Sequence, residues 1–187
     1  MRYTVVFDAC VLYPAPLRDF LLRLAISGLF SAKWTEQIHD EWTRNLLESR
    51  PELRDKLPRT RQQMNSAIPD VLVTGYEPLI ENLELPDAND RHVLAAAIRS
   101  GAQAIITFNL KDFPANAIEQ YGIEALHPDA FIEHQFDLNQ GAVIAGAKQH
   151  RAALKTPPKS AEDYIETLSA QGLAITADRL RDFIDLI

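Results

Sequence analysis

Cysteine is nearly absent: Cys10 is the only one among 187 residues, so no internal disulfide can form and a reducing compartment is expected. No apolar run reaches the roughly 18 residues that a membrane span needs. The N-terminal stretch lacks the basic and apolar regions of a signal peptide. A cytoplasmic protein without a membrane partner is therefore expected. There is no glycine-rich phosphate loop, no zinc pattern among the five histidines, and no serine or cysteine nucleophile signature. Internal repeats and low-complexity tracts are missing too. Basic residues are the minority, with Lys and Arg numbering 19 against 26 Asp and Glu, for a net charge of −7. That balance argues against a general nucleic-acid-coating protein. It leaves room for a nuclease, whose metal-site carboxylates add negative charge that bound cations neutralise.

The composition that remains, 47% hydrophobic and 24% charged, is that of a globular protein of one ordinary domain with an appended subdomain. Four acids stand where apolar runs end or amphipathic helices begin. Asp8 closes Tyr3-Thr4-Val5-Val6-Phe7, and Glu41 lies in His39-Asp40-Glu41-Trp42. Asp90 opens the apolar stretch from Val93 to Ile98, and Asp112 follows Ala104–Phe108. A charge at the end of a buried strand is costly unless water, a partner or a metal meets it. Open α/β sheets place their ligand sites at such strand ends. Carboxylates gathered there, without a matching cluster of Lys or Arg, make a hard oxygen site suited to Mg²⁺ or Mn²⁺.

Residues 3–7 read as a buried strand. A helix with Leu17, Phe20, Leu21 and Leu24 on one face follows and stops at Gly28. Thr35 is placed to cap a helix carrying Ile38, Trp42 and Leu46, with Glu41 and Asn45 on one stripe. Pro51 and Pro58 interrupt the next segment, and Val71-Leu72-Val73 reads as a short second strand. A turn at Asp87–Asp90 leads into a helix that Gly101 ends, with a carboxylate at or near its first turn; the bland reading of Asp90 is a helix N-cap, a role compatible with metal ligation. Ala104–Phe108 is a third strand and Ile123–Leu126 a short fourth. Alternation of strands and helices without hairpin signals implies a parallel sheet covered by helices. After Pro128 only helices are expected. One opens at Ser160 and closes at Gly172, and Thr176 is the expected cap of the last.

These four phrases, in this order on these elements, resemble a PIN domain of the VapC-like toxin ribonuclease type. The resemblance covers roughly residues 1–130. It implies a three-layer α/β/α fold with a central parallel sheet (residues 1–130) and leaves residues 131–187 as a helical C-terminal extension. It also implies an Mg²⁺- or Mn²⁺-dependent endoribonuclease, under control of a cognate antitoxin. Asp8, Glu41, Asp90 and Asp112 match the family's acids. Their chemistry makes Asp8, Asp90 and Asp112 the expected direct metal ligands, and Glu41, on a longer stem, either a further ligand or the group that orients a bound water. The family often has Asn two residues after its first acid. Here that place is Cys10, and a thiol does not offer an amide's donor and acceptor.

Thr107 and Asn109 flank the closing strand end, where they can hydrogen-bond a carboxylate or a metal water. Asp87, three residues before Asp90, reads as a turn residue or a support behind the ligands. His92, one helical step beyond Asp90, is within reach of the phosphate, although a helix-surface histidine is the simpler reading. Between Arg44 and Arg61 six basic residues face three acidic ones. Arg44, Arg54 and Arg59 are candidates for phosphate-backbone contacts with RNA, although pairing with Glu48, Glu52 and Asp55 also accounts for them. A phosphatase using Asp8 as nucleophile would want a second acid where Cys10 stands. A catalytically degenerate PIN domain that binds RNA or protein would lack one of the four acids. The apolar helices lead us to expect a homodimer.

Overall fold

The computed structural model describes residues 2–187. Its sheet is built on β1 (Thr4–Phe7), whose β-branched and aromatic residues Val5, Val6 and Phe7 are fully buried, as an inner strand of a parallel sheet requires. β2 (Ser31–Lys33) pairs with one side of β1 and β3 (Ala104–Ile106) with the other, and β4 (Glu124–Leu126) lies beyond β3. All pairings are parallel, with Val5 opposite both Ala32 and Ala104. Strand order thus changes direction between β1 and β3, and the carboxyl ends of those two strands are where such a sheet opens a crevice.

Ten α-helices are present among the described residues. In chain order they are α1 (Ala9–Leu12), α2 (Ala15–Ile26), α3 (Glu36–Ser49), α4 (Leu57–Ala67) and α5 (Glu77–Ile80). They continue with α6 (Arg91–Ser100), α7 (Ala115–Ile118), α8 (Pro128–Ala153), α9 (Ala161–Ala170) and α10 (Ala174–Arg181). Thr35 caps α3 by accepting from the Ile38 N–H. Gly101 ends α6 in the left-handed conformation, at φ 65°, where a side chain would be strained.

Two compact units result. One comprises the chain up to Tyr13 together with Phe30–His127, and holds the whole sheet. The other comprises Pro14–Leu29 and Pro128–Ile187, so α2 joins the helices of the C-terminal extension. Its core is Phe20, Leu21, Leu24, Phe131, Tyr164 and Leu180, all fully buried. No helix among the described residues is long and apolar enough to cross a membrane.

Several expectations are corrected. Val71-Leu72-Val73 is not a strand: Leu72 forms one isolated bridge with Trp34, and the segment turns away between Asp70, at φ 54°, and Gly75, at φ 70°. The second strand is Ser31–Lys33 instead. It carries one buried residue, Ala32, too little for an apolar pattern to show. Pro58 does not interrupt a helix but sits in the first turn of α4, where its missing N–H costs nothing. Asp90 occupies the N-cap position of α6 without making the cap hydrogen bond. The side-chain cap in that turn is Asp87, which accepts from the Asn89 N–H at 2.8 Å.

Thr176 does not cap the last helix either, since α10 begins two residues earlier. Its first turn is capped from α8. Asp129 accepts from the Ile175 N–H at 2.8 Å, the Thr176 N–H at 2.9 Å and the Thr176 hydroxyl at 2.7 Å. Within α8, Asn139 leaves helical geometry and its side chain accepts from the Ala142 N–H, restarting the helix after the break.

The helical unit also holds a buried histidine. His150 is 1% exposed, stacks on Phe20 and shares a 3.0 Å hydrogen bond with the Tyr164 hydroxyl. Burial, and then the nearby Arg23 guanidinium, push its pKa down to about 4. The unfolded chain therefore takes up this proton first. Stability is complete above pH 6.5 or so and is lost as pH falls toward 4, by about 3 kcal/mol from this one group. Denaturant melts at pH 7 and pH 4.5 should show that loss, and His150→Asn should flatten the slope.

Candidate active site

Asp8 is the last residue of the crevice wall on the β1 side and the N-cap of α1. Its carboxylate is 6% exposed and held by three donors. Oδ1 accepts from the Ala9 N–H at 2.7 Å, and Oδ2 accepts from the Thr107 hydroxyl at 2.8 Å and from the Cys10 thiol at 3.3 Å. Burial raises its pKa; the bonds from Thr107, Cys10 and Ala9 oppose that rise, and the charge of Glu41 adds to it. The backbone closes the same junction, with the Asp8 N–H donating to the Ile106 carbonyl at 3.1 Å.

Cys10 does more than the sequence suggested. Its Sγ donates to Asp8 and accepts from the Phe108 N–H at 3.4 Å. It thus supplies one donor and one acceptor across the two strand ends, as an amide would. Burial, followed by the charge of Asp8, pushes its pKa up to about 12, so the thiol keeps the proton it donates. Thr107 is fully buried and its hydroxyl also accepts from the Asn109 N–H at 3.0 Å. Both residues expected at this strand end therefore belong to one connected network.

Glu41 reaches the crevice from α3. That helix is fixed from beneath by His39, which accepts from Trp42 Nε1 at 2.9 Å through Nδ1 and meets Asn65 Oδ1 at 2.9 Å through Nε2. Asn65 Oδ1 also accepts from Trp34 Nε1. Burial holds His39 below its ordinary pKa, which keeps it neutral, as this donor-and-acceptor pattern requires. Asp40, next to Glu41, points to Arg61 instead, at 2.7 Å.

The acids meet in a hollow of about 450 Å³ bordered by Asp8, Cys10, Tyr13, Glu41, Asp90 and Asn109. Asp112 ends a short 3-10 turn, Leu110–Asp112, and does not border this hollow, but its charge is felt at Asp90. Burial first, and then the charges of Asp8, Asp87, Asp112 and Glu41, raise the pKa of Asp90 to about 6. Four other carboxylates are thus close enough for their charge to act on Asp90. Hard oxygen donors whose charge is not neutralised suit a divalent cation. Among the described residues, no three of His, Cys, Asp or Glu form a ready-made metal cage.

His92 is the residue that sequence reasoning misplaced. It is 2% exposed, and its Nε2 lies 2.7 Å from Glu41 Oε1, a contact too bent for a good hydrogen bond. The Arg91–Ser100 helix presents this face to α3 rather than to water. The signal was the register: His92 shares a face with Ala95 and Ala96, three and four residues on, and both are buried.

The basic segment is also rearranged. Glu52 pairs with Arg50 and Arg61 pairs with Glu36 and Asp40, whereas Glu48 and Asp55 form no salt bridge among the described residues. Arg44, Arg54 and Arg59 are exposed, and no salt bridge holds them among the described residues. Arg44 borders the hollow beside the acids, and both Arg44 and Arg54 border the next one along α3.

Comparison with known proteins speaks to the family. Residues 4–111 match the family model described as PIN domain, and residues 128–182 match the model described as VapC50 C-terminal domain. Over 97 residues the chain is 41% identical to a protein of Mycobacterium tuberculosis (strain ATCC 25618 / H37Rv) named "Putative ribonuclease VapC50". That alignment covers 52% of this chain and 57% of the relative, so a little over half of the relative's length is matched. No solved structure matches the chain. With the parallel sheet, the acids at its strand ends and a family model spanning more than half its length, the chain belongs to the PIN domain family.

Proposed function

We propose that this protein is a divalent-metal-dependent endoribonuclease that hydrolyses RNA phosphodiester bonds, and that it is the toxin of a toxin–antitoxin pair. The observation that carries the reading is the hollow where Asp8, Glu41 and Asp90 converge, with Asp112 adding its charge at Asp90. Asp8, Asp90 and Asp112 would hold Mg²⁺ or Mn²⁺. When bound, such a cation supplies a water of lowered pKa and neutralises charge on the phosphate.

The chain's own residues do the rest. Thr107, Cys10 and the Ala9 N–H fix the Asp8 carboxylate in one orientation. Asn109 borders the hollow and braces Thr107, and Asp87 holds the turn that delivers Asp90. His92 lies beside one oxygen of Glu41, and the other would orient the attacking water and take its proton. Arg44, Arg54 and Arg59 would contact the RNA backbone, with affinity that is salt-dependent and blind to sequence. A cognate antitoxin, a cytoplasmic location and a homodimer complete the proposal.

Incubation of the purified protein with mixed RNA, in Mg²⁺ against EDTA, tests it. Cleavage abolished by the chelator and by Asp8→Asn is the expected result. RNA binding without cleavage, unchanged by either treatment, would make the protein a degenerate binding module instead. The toxin role predicts that expression of the protein alone arrests growth and that Asp8→Asn relieves the arrest.

His92 allows a sharper check. His92→Phe keeps the buried ring and removes the nitrogen beside Glu41, so cleavage should fall about 10-fold, as for other groups that orient a ligand. In a Glu41→Gln background the same change should cost little more, because both act through one carboxylate. Additive losses in this double-mutant cycle would separate His92 from Glu41.

A further inference from the structure

Beside the acid hollow lies a second one of about 560 Å³, between α3 and the turn that carries Asp90. The two share Glu41, Asn45 and Asp90, so a ligand in the second hollow touches the reacting centre at one edge. Its remaining walls differ in chemistry from the first. Gln37, Arg44 and Asn45 line it from α3, and Ile80 and Asn89 from the opposite side.

Gln37, Glu41 and Asn45 are spaced four apart on one helix and form a single stripe about 12 Å long, with the carboxylate in the middle. Gln37 is oriented: the buried Tyr76 hydroxyl donates to its Oε1 at 3.3 Å. That leaves both amide N–H groups of Gln37 for a ligand. The Asn45 side chain is exposed and has no partner among the described residues, so it offers a donor and an acceptor. Amide side chains of this kind read base edges, where they can pair in register. Ile80 gives a base face an apolar wall, and the unpaired Arg44 guanidinium suits the adjoining phosphate. A phosphate pushed deeper would meet Glu41 and Asp90, which repel it. A neutral base would not.

We infer that this second hollow is a base-binding subsite. It takes one unpaired ribonucleotide next to the scissile phosphate, with the base edge on Gln37 and Asn45 and the backbone on Arg44. The inference rests on the ribonuclease reading above for the identity of the ligand. It adds the residues that select where the RNA is cut.

Sequencing of the cut ends from a randomised single-stranded RNA, for wild type and for Gln37→Ala and Asn45→Ala, tests it. Both residues are exposed on α3 and alanine is the better helix former, so the variants fold, and their melting temperatures confirm it. Wild type should prefer some bases over others beside the cut by about 5-fold or more, the worth of one amide–base pair. Each variant should flatten that preference at one position while Mn²⁺ affinity stays unchanged. An identical base profile in wild type and both variants, or no base preference at all, overturns the subsite while leaving the nuclease intact.

Binding separates the two readings from the other side. The Asp8→Asn protein is titrated with short oligoribonucleotides of different base composition, with and without Gln37→Ala. Base-selective binding that Gln37→Ala removes supports the subsite even if wild type cuts no RNA, in which case only the nuclease reading falls. Neither cleavage nor RNA binding overturns both. Arg44→Gln should weaken all oligonucleotides equally and reduce the salt dependence of binding by about one phosphate contact. A base-selective effect of Arg44→Gln would contradict the assignment of that residue to the backbone.

Discussion

Asp90→Asn is expected to remove the proposed RNA cleavage and to make the metal-free protein more stable. The two effects have one cause. Asp90 stands where the charges of Asp8, Asp87, Asp112 and Glu41 accumulate, and burial and those charges raise its pKa to about 6. In the unfolded chain the same carboxyl titrates near its ordinary value, so the folded state holds the proton more tightly. Without metal, stability therefore falls as pH rises from about 4 to 6, and the deficit persists at neutral pH.

Asparagine carries no charge and removes the deficit. Asp90 is only partly buried, so solvent screening reduces the gain to on the order of 1 kcal/mol. Cleavage should drop by at least about 100-fold, since even groups that merely orient a ligand are worth 10–100-fold. Melting in EDTA at pH 5 and pH 7.5 measures the first effect, and RNA cleavage in Mg²⁺ the second. A variant that melts lower than wild type in EDTA at pH 7.5 would make Asp90 a structural residue. Because Asp90 makes no cap hydrogen bond, nothing in the helix α6 should be lost.

Asp129→Ala should be the most damaging single change in the helical unit. The buried Asp129 carboxylate accepts three hydrogen bonds from the start of α10, and Thr176 is fully buried. Alanine leaves two backbone N–H groups and a hydroxyl without this acceptor, and the Thr176 N–H and hydroxyl lie where water does not reach. Each orphaned buried donor costs about 1–3 kcal/mol, and a lost helix cap about 1. A loss of roughly 3–4 kcal/mol is expected, seen as a lower denaturation midpoint. Asp129→Asn keeps one acceptor oxygen and should recover part of it. Equal stability of Asp129→Ala and wild type would mean that α10 finds another cap.

The contrast between Asp129 and Asp90 shows where reading along the chain succeeds. Strands β1, β3 and β4 announce themselves because β-branched and apolar residues run together and glycine or acid punctuates them. Thr35 and Ser160 were legible as caps because the N–H groups they serve lie three residues on. Local interactions leave local patterns. The acids Asp8, Glu41, Asp90 and Asp112 were legible for a related reason. A charge at the end of an apolar run is conspicuous, and four in family order are specific.

Interactions between distant residues leave no such trace. The cap of α10 comes from Asp129, 46 residues before Ile175, so Thr176 looked like the cap that the local rule demands. β2 has too few residues to show a period, and only its pairing with β1 makes it a strand. His92 is buried because α6 and α3 face each other across the site, which brings it to Glu41. Cys10 becomes a useful bridge only because Thr107 and Phe108 arrive from β3. The sequence by itself determined the strand–helix alternation and the family, and it marked the acids proposed for the site. Tertiary structure alone decided which acids border one hollow, which neighbours orient them and which amides stand beside them, because those depend on contacts between residues far apart in the chain.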